Sequence, residues 1–258
     1  MSVQPSPQAD EIQIVAASRA LSSNDVCFVG IGMPSAACNL ARLTHAPGIV
    51  LIYESGTIQT RPDVLPLSIG DGELCEQALF TVSVPEMFQY WLQGGHILKG
   101  FLGGAQVDRF GNINTTVIGS YDAPSVRLPG GGGAPEIAAH CRQTIITASH
   151  SRRVFVDRVE FTTTFGHGDG NGDRRAKGLT TQGPMLVVTD LCQMVPDPDT
   201  SEMVVTSLHE GVTREDVQAA TGWEVRFSDE LSTTPPPTAV ELEALRELRA
   251  RTSAAHRG

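Results

Sequence analysis

Val50-Leu51-Ile52-Tyr53-Glu54-Ser55-Gly56 is an apolar run of strand length that ends in one acidic residue, followed by Ser and Gly. The pattern predicts a buried strand that carries a carboxylate at its C-terminal end. In an open parallel α/β sheet, ligands bind beyond the carboxyl ends of the strands, so Glu54 is a candidate reactive group. A carboxylate at this place can equally cap the next helix or pair with an arginine. Gly56 would allow the sharp turn that follows.

A second apolar run, residues 26–29, precedes this strand and leads through Gly30-Ile31-Gly32-Met33-Pro34-Ser35 into a helical stretch at residues 36–43. Strand, helix and strand of these lengths predict a right-handed βαβ unit and a parallel sheet centre. The glycine-rich turn is compatible with an anion site at the helix N-terminus or with tight packing of strand against helix. It is not a full dinucleotide fingerprint, because Ser35 stands where the third glycine belongs.

Further apolar runs of strand length predict the rest of the sheet, at residues 97–102, 144–148, 154–156, 185–189 and 203–207. We therefore expect an α/β fold with an open, mainly parallel twisted sheet and helices on both faces. The domain prediction is a flexible leader over residues 1–9, which holds two prolines, and a single domain over residues 10–258.

Charge and hydropathy exclude several classes of function. The 258 residues carry a formal net charge of -10, so the basic face typical of nucleic-acid binding is not expected. No apolar run approaches the length of a membrane span, and the first twenty residues include Gln8, Asp10 and Glu11 rather than a basic and then apolar leader. We expect a cytoplasmic protein that binds neither nucleic acid nor membrane.

Neither cysteines nor a polar loop gives a metal signature. The five cysteines are scattered without CxxC spacing, which predicts buried free thiols rather than disulfides or a zinc site. The loop at residues 166–174 has the Asp and Asn content of a calcium loop but lacks its spacing and terminal Glu. We therefore expect no metal. His209 lies at a strand-to-helix junction, where a structural role is favoured over a catalytic one.

Two glycine clusters follow the strand runs. Gly103-Gly104-Ala105-Gln106-Val107-Asp108 leads into Gly111-Asn112-Ile113-Asn114, and small residues with Gln106 and Asn114 could line a narrow pocket, although turn chemistry alone would explain Gly111 and Asn112. Pro129-Gly130-Gly131-Gly132-Gly133-Ala134-Pro135 is flanked by apolar sequence, which argues against a linker. It predicts backbone that approaches a ligand or another chain segment closely, with free amides able to hold an oxyanion.

Together, Glu54-Ser55-Gly56 and the two glycine clusters resemble the B subunits of the glutaconate CoA-transferase-like family I CoA-transferases. The similarity runs from about residue 10 to the C-terminal helix, and its separated motifs agree in order. It implies the α/β fold of CoA-transferases, also called NagB-like. Within the family, several motifs look most like the members that move CoA from succinyl-CoA to 3-oxoadipate in aromatic-compound catabolism.

The resemblance also implies residue roles. Glu54 maps to the catalytic glutamate that carries a glutamyl-CoA thioester, and Gly130, Gly131, Gly132, Gly133 and Ala134 match the family's GxGGA oxyanion or acyl-CoA loop. Weaker pocket-lining candidates are Ser55, Gly56, Gly103, Gly104, Gln106 and Asn114, and weak candidates for the CoA phosphates are Arg109 and Arg127. CoA is a substrate, so no cofactor is expected. A separate A subunit is expected to complete a heterotetramer or a larger assembly.

Three alternatives remain at this point. A glutaconate-type transferase for another dicarboxylic acid would share Glu54 and differ in the acid accepted. An acyl-CoA hydrolase or decarboxylase on the same fold would be expected to lack the glutamate. A non-catalytic ligand-sensing α/β module would retain its binding function after Glu54→Ala.

Overall fold

The computed structural model describes residues 6–257, so the first five residues of the predicted leader lie outside the described part of the chain. The helices are α1 Ala9–Ser18, α2 Met33–Leu43, α3 Glu73–Glu76, α4 Val84–Glu86, a π-helix Met87–Leu92, α5 Ala134–His140, α6 Asp173–Ala176, α7 Arg214–Ala220 and α8 Ala239–Ala255. The strands are β1 Val26–Val29, β2 Val50–Tyr53, β3 Thr57–Ile58, β4 Phe80–Thr81, β5 Lys99–Leu102, β6 Gln106–Val107, β7 Ile113–Asn114, β8 Val117–Gly119, β9 Pro124–Arg127, β10 Gln143–Thr147, β11 Gly183–Val188, β12 Cys192–Pro196, β13 Met203–Leu208 and β14 Arg226–Thr233.

Ten of these strands form one mixed sheet in the order β14-β13-β12-β11-β10-β5-β1-β2-β3-β4. The five central strands, from β11 to β2, are all parallel. The outer strands pair antiparallel, except that β13 and β14 run parallel. Separate hairpins are formed by β6 with β7 and by β8 with β9. The predicted sheet, parallel at its centre, is confirmed.

Alternate residues of the central strands face two different apolar cores. Cys27, Leu51 and Tyr53 pack in one core with residues of α1 and α2. Phe28 and Ile52 pack in the other core with buried residues of the π-helix and α5. This alternation is what the period of two along a strand requires when both faces of a sheet are covered. The predicted placement of helices on both faces is therefore confirmed.

The C-terminal helix α8 closes the first of these faces. Its buried leucines are Leu242, Leu245 and Leu248. Ion pairs join α8 to α1 and also to Arg19, the residue after α1, which lies 2.7 Å from Glu241. Burial would raise the pKa of Glu241, but hydrogen bonds from Arg19 and Thr238 outweigh it and lower the pKa to about 2. The last helix of the chain thus packs against its first.

Some details differ from the predictions. The expected strand at residues 154–156 is reduced to one bridging residue, Phe155, which pairs with Val107. Four of the five cysteines are buried free thiols as predicted, but Cys75 is exposed because it lies on the short surface helix α3. The strand β14 was not predicted, since its exposed and charged residues give no apolar alternation.

A buried histidine links the loops that follow β10 and β11. The ring nitrogens of His150 lie 3.0 Å from Thr189 Oγ1 and 2.9 Å from Thr221 Oγ1, and the ring stacks on Phe155. Burial lowers the pKa of His150 to about 4, and the nearby Asp190 carboxylate opposes this only in part. The folded chain therefore holds His150 neutral.

This burial predicts a loss of stability in mild acid. The unfolded chain, in which histidine has a pKa near about 6.5, binds the extra proton first as the pH falls. The contribution of His150 is therefore complete above about pH 6.5 and declines towards pH 4, by about 3 kcal/mol in total. Urea unfolding at several pH values measures it. Between pH 6.5 and 4, His150→Gln should lose less stability than the wild type, and equal pH slopes would contradict the assignment.

Candidate functional site

The parallel strands deliver several loops to one edge of the sheet. Val29 pairs with Tyr53, and Leu102 pairs with Ile146, so these strand ends lie level with one another. Glu54, Gly30, Gly103 and Ala148 follow these strands at the same edge. The position of Glu54 beyond the end of a buried parallel strand is the one expected from the sequence.

Tyr53 anchors the C-terminal end of β2. Its side chain is fully buried, and its hydroxyl lies 2.9 Å from Ser35 Oγ and 3.4 Å from Asn39 Nδ2, both on α2. Burial raises the pKa of the Tyr53 hydroxyl, so it stays neutral. The residue immediately before Glu54 is therefore anchored to the helix that packs beneath the strand.

The turn after Glu54 requires glycine. Gly56 has a φ of 97°, and its N–H donates to the Tyr53 carbonyl over 2.9 Å. Its carbonyl accepts from the Val82 N–H over 2.8 Å, and a Cβ at this position would lie only 2.1 Å from the Val82 carbonyl oxygen. Gly56 thus serves the turn and its contact with the segment after β4.

The second glycine cluster lies against Glu54. A Cβ built on Gly133 would lie 2.9 Å from Glu54 Oε1 and 2.7 Å from Phe88 Cζ. Gly133 has a φ of -81° as the residue before α5, so its small size rather than its backbone conformation is what the contact requires. The structure therefore brings Glu54 and the Gly130–Ala134 loop together.

This loop also offers unused donors. The Gly130 N–H donates to the Thr115 carbonyl, and the Ala134 N–H donates to the Gly131 carbonyl. The N–H groups of Gly131, Gly132 and Gly133 donate to no group within residues 6–257. Adjacent free amides in a glycine loop are suited to holding an oxyanion.

Glu54 itself is half-buried, and within the described chain its carboxylate neither accepts a hydrogen bond nor forms an ion pair. The alternatives of a helix cap and of an arginine partner therefore find no support among these residues. The Ser55 hydroxyl beside it is buried without a partner among the same residues. A free carboxylate beside free amides can act as a nucleophile towards an acyl group.

A cleft of about 370 Å³ opens at the same edge, beside the β1 turn. Gly30, Ile31 and Met33 line one wall, and Gly103 with Thr147 lines another. Gly103 therefore lines this cleft. The glycine-rich turn after β1 also borders the cleft, in addition to packing between strand and helix.

Two predicted pocket residues have structural partners instead. The buried Asn114 amide donates 2.8 Å to Gln106 Oε1, and the Gln106 amide donates 2.7 Å to Glu160 Oε1. The first bond joins the two strands of the β6–β7 hairpin, and the second joins the hairpin to the segment at residue 160. Gly104 lies against the same hairpin, because a Cβ there would lie 2.1 Å from Ile113 Cγ2.

The basic and histidine candidates are also engaged. Arg109 pairs with Asp157 and lies 3.7 Å from Glu202, while the Arg127 guanidinium lies 5.1 Å from the centre of the Tyr121 ring. His209 is buried between Thr234 Oγ1 at 2.9 Å and the Thr189 carbonyl at 2.8 Å, which is a structural role.

Metal and membrane features can be described for residues 6–257. No cluster of three or more His, Cys, Asp or Glu suited to a metal ion occurs among them. None of the helices in this range combines the length and the apolar composition needed to cross a membrane.

Phe88 is the site residue that sequence reasoning missed. Its position after Pro85 predicts only an amphipathic helix, and no local signal places its ring beside Glu54, 34 positions earlier in the sequence. The contact arises from the tertiary fold.

Comparison with known proteins identifies relatives of the whole chain. The chain is 59% identical over 247 residues to the B subunit of 3-oxoadipate CoA-transferase from Pseudomonas knackmussii, covering 96% of this chain and 95% of that protein. It is 33% identical to the B subunit of glutaconate CoA-transferase from Acidaminococcus fermentans, covering 92% and 90%. It is 30% identical to the cholesterol ring-cleaving hydrolase IpdB subunit of Mycobacterium tuberculosis, covering 83% and 82%.

A solved structure and a family model lead to the same group. The crystal structure of glutaconate coenzyme A-transferase from Acidaminococcus fermentans superposes with a TM-score of 0.88 at 30% identity, covering 93% of this chain and 94% of that chain. The family model described as Coenzyme A transferase matches residues 11–220. The chain therefore belongs to the coenzyme A transferase family.

Proposed function

We propose that this chain is the B-type subunit of a CoA-transferase that moves CoA from succinyl-CoA to 3-oxoadipate through a glutamyl-CoA thioester on Glu54. The observation that carries the proposal is the Glu54 carboxylate, unpartnered within the described chain and held against a loop with three unused amides. The choice of 3-oxoadipate rests on the 59% identity to the Pseudomonas protein, compared with 33% to the one named for glutaconate.

The chemistry proceeds by covalent catalysis. Glu54 attacks the thioester carbonyl of succinyl-CoA, which gives a mixed anhydride and CoA thiolate. The thiolate then attacks the glutamyl carbonyl, so that succinate leaves and the glutamyl-CoA thioester forms. The 3-oxoadipate carboxylate repeats these steps in reverse. The amides of Gly131, Gly132 and Gly133 donate to the oxyanion that each attack creates.

Three of the remaining predicted residues have supporting roles. Gly56 sets the turn behind the nucleophile, and Gly103 lines the cleft at the strand ends, where a Cβ would lie 3.0 Å from the Thr147 carbonyl oxygen. The Ser55 hydroxyl is placed next to the nucleophile without an internal partner. We propose that these residues border the space that the two acids and the thioester would share. We also propose that the enzyme is cytoplasmic.

We propose further that a separate A-type subunit covers an apolar face beside Glu54. The two transferase relatives described above are each named as one subunit of a larger enzyme. Large apolar side chains are exposed along one short segment that flanks Glu54, namely Leu79, Phe80, Val84 and Tyr90. The bond from the Val82 N–H to Gly56 ties this segment to the Glu54 turn. An exposed cluster of this kind marks a protein interface, and a heterotetramer or larger assembly would bury it.

The glutamyl thioester can be tested by intact-mass measurement. The chain is co-expressed with its A-type subunit, and the complex is incubated with succinyl-CoA alone. We expect a CoA adduct on this chain, which Glu54→Ala abolishes because no carboxylate remains to attack. Glu54→Gln should also lack the adduct unless its amide hydrolyses to regenerate Glu. An unmodified wild-type chain under turnover conditions would exclude the mechanism.

The donor loop gives a second prediction. Gly133→Ala should slow adduct formation about a hundredfold, because the new Cβ displaces the carboxylate and the Phe88 ring. The backbone conformation of Gly133 suits alanine, so the variant should fold, and any fall in its thermal unfolding midpoint reflects displacement of the Phe88 ring. Gly72→Ala is the matched control, since Gly72 has a φ of -60° and open space around its Cβ position. Equal adduct rates in both variants would refute the contact.

The apolar face gives a third prediction. Phe80→Asp and Tyr90→Asp should each weaken association with the A-type partner tenfold or more, about 1.4 kcal/mol, because a charge replaces buried apolar area. Light scattering after size exclusion measures the complex. Val240→Asp, at an exposed apolar position on α8, should assemble like the wild type. Full assembly of both face variants would place the partner elsewhere.

A further inference from the structure

The Phe88 ring and the Glu54 carboxylate both lie close to Gly133. A Cβ on Gly133 would lie 2.7 Å from Phe88 Cζ, 3.0 Å from Phe88 Cε1 and 2.9 Å from Glu54 Oε1. The edge of the ring and one carboxylate oxygen are therefore neighbours over the Cα of Gly133. The edge of an aromatic ring carries partial positive charge, so it tolerates a carboxylate oxygen while excluding water.

The packing of the π-helix fixes the position of the Phe88 ring. Met87 and Leu92, at the two ends of the π-helix, are fully buried. The Gln93 N–H donates 2.9 Å to the Phe88 carbonyl, five residues back, which is the wide turn of a π-helix. The ring also lies 6.2 Å from the buried Phe28 ring on β1, measured between centroids.

A second contact joins the π-helix to the donor loop. The Gln93 side-chain amide donates 3.1 Å to Glu136 Oε2 on α5, the helix that begins immediately after Gly133. Wide turns of this kind are rare and occur frequently at functional sites. Here the wide turn aims one aromatic ring at the nucleophile, and the loop before the next helix carries the oxyanion donors.

We propose that Phe88 is a positioning residue that protects the covalent intermediate on Glu54 from water. This inference rests on the proposed function, because it concerns the glutamyl-CoA thioester. The ring edge keeps the Glu54 side chain in one orientation and occupies the space from which water would reach its carbonyl carbon. The thioester is then consumed by the acceptor carboxylate.

The reaction that Phe88 suppresses is hydrolysis of the intermediate. The oxygen of a water molecule would bond to the glutamyl carbonyl carbon, and the carbon–sulfur bond would break. CoA would leave as the thiol after taking up one proton of that water, and Glu54 would return as the carboxylate with release of the other proton. Only water is needed as co-reactant. Exclusion of water from a reactive intermediate is a recognised consequence of a closed apolar wall.

The experiment measures two products from one enzyme complex. Wild-type and Phe88→Ala chains are assembled with the A-type subunit and given succinyl-CoA with 3-oxoadipate, and the rates of 3-oxoadipyl-CoA and free CoA formation are recorded. We expect the ratio of hydrolysis to transfer to rise roughly tenfold in Phe88→Ala. Phe88→Leu should fall between the two, because leucine restores part of the apolar wall.

The ratio distinguishes this role from a structural one. Both rates scale with the amount of folded, assembled enzyme, so a loss of folding alone leaves their ratio unchanged. Phe227→Leu is the matched control, since Phe227 is a half-buried aromatic residue on β14 at the far end of the sheet. An unchanged ratio in Phe88→Ala would overturn the inference. A wild-type chain without a CoA adduct would overturn the proposed function, and this inference with it.

Discussion

The parallel pairing of β1 with β2, locked by the buried hydroxyl of Tyr53, is the constraint on which the site depends. Register pairs Val29 with Tyr53, and the Tyr53 hydroxyl bonds to Ser35 on the intervening helix. A buried hydroxyl left without a partner costs about 1–3 kcal/mol, so strand and helix cannot slide past each other cheaply. Glu54 follows directly, and its backbone inherits this rigidity.

A second constraint is the close approach at Gly133. Three segments far apart in sequence converge there: the turn at Glu54, the π-helix at Phe88 and the start of α5. Each is fixed by its own secondary structure, so the glycine determines how near they come. The arrangement brings together the Glu54 carboxylate, an aromatic ring and unused backbone amides, and the carboxylate has no side-chain partner within residues 6–257.

Much of this was accessible from the sequence, because the relevant signals are local. The strand ending at Tyr53 has strong apolar patterning, and the Gly130–Ala134 loop has an unusual composition. The role of Glu54 came from the family resemblance, since a carboxylate at a strand end has other uses. The Phe88 contact could not be predicted, because it depends on tertiary packing. The pairing of Gln106 with Asn114 was equally hidden, as polar side chains signal a pocket and an internal network alike.

The Glu54 carboxylate, which is proposed to react, does not stabilise the described part of the fold through hydrogen bonds or ion pairs. Within the described chain the fold takes no hydrogen bond or ion pair from that side chain, so replacing it removes no such bond from the strand, the turn or the donor loop. A substitution at this one position can therefore alter the reaction while the architecture persists. A fold that keeps its structure when its reactive residue is replaced can acquire a new reaction through a single substitution.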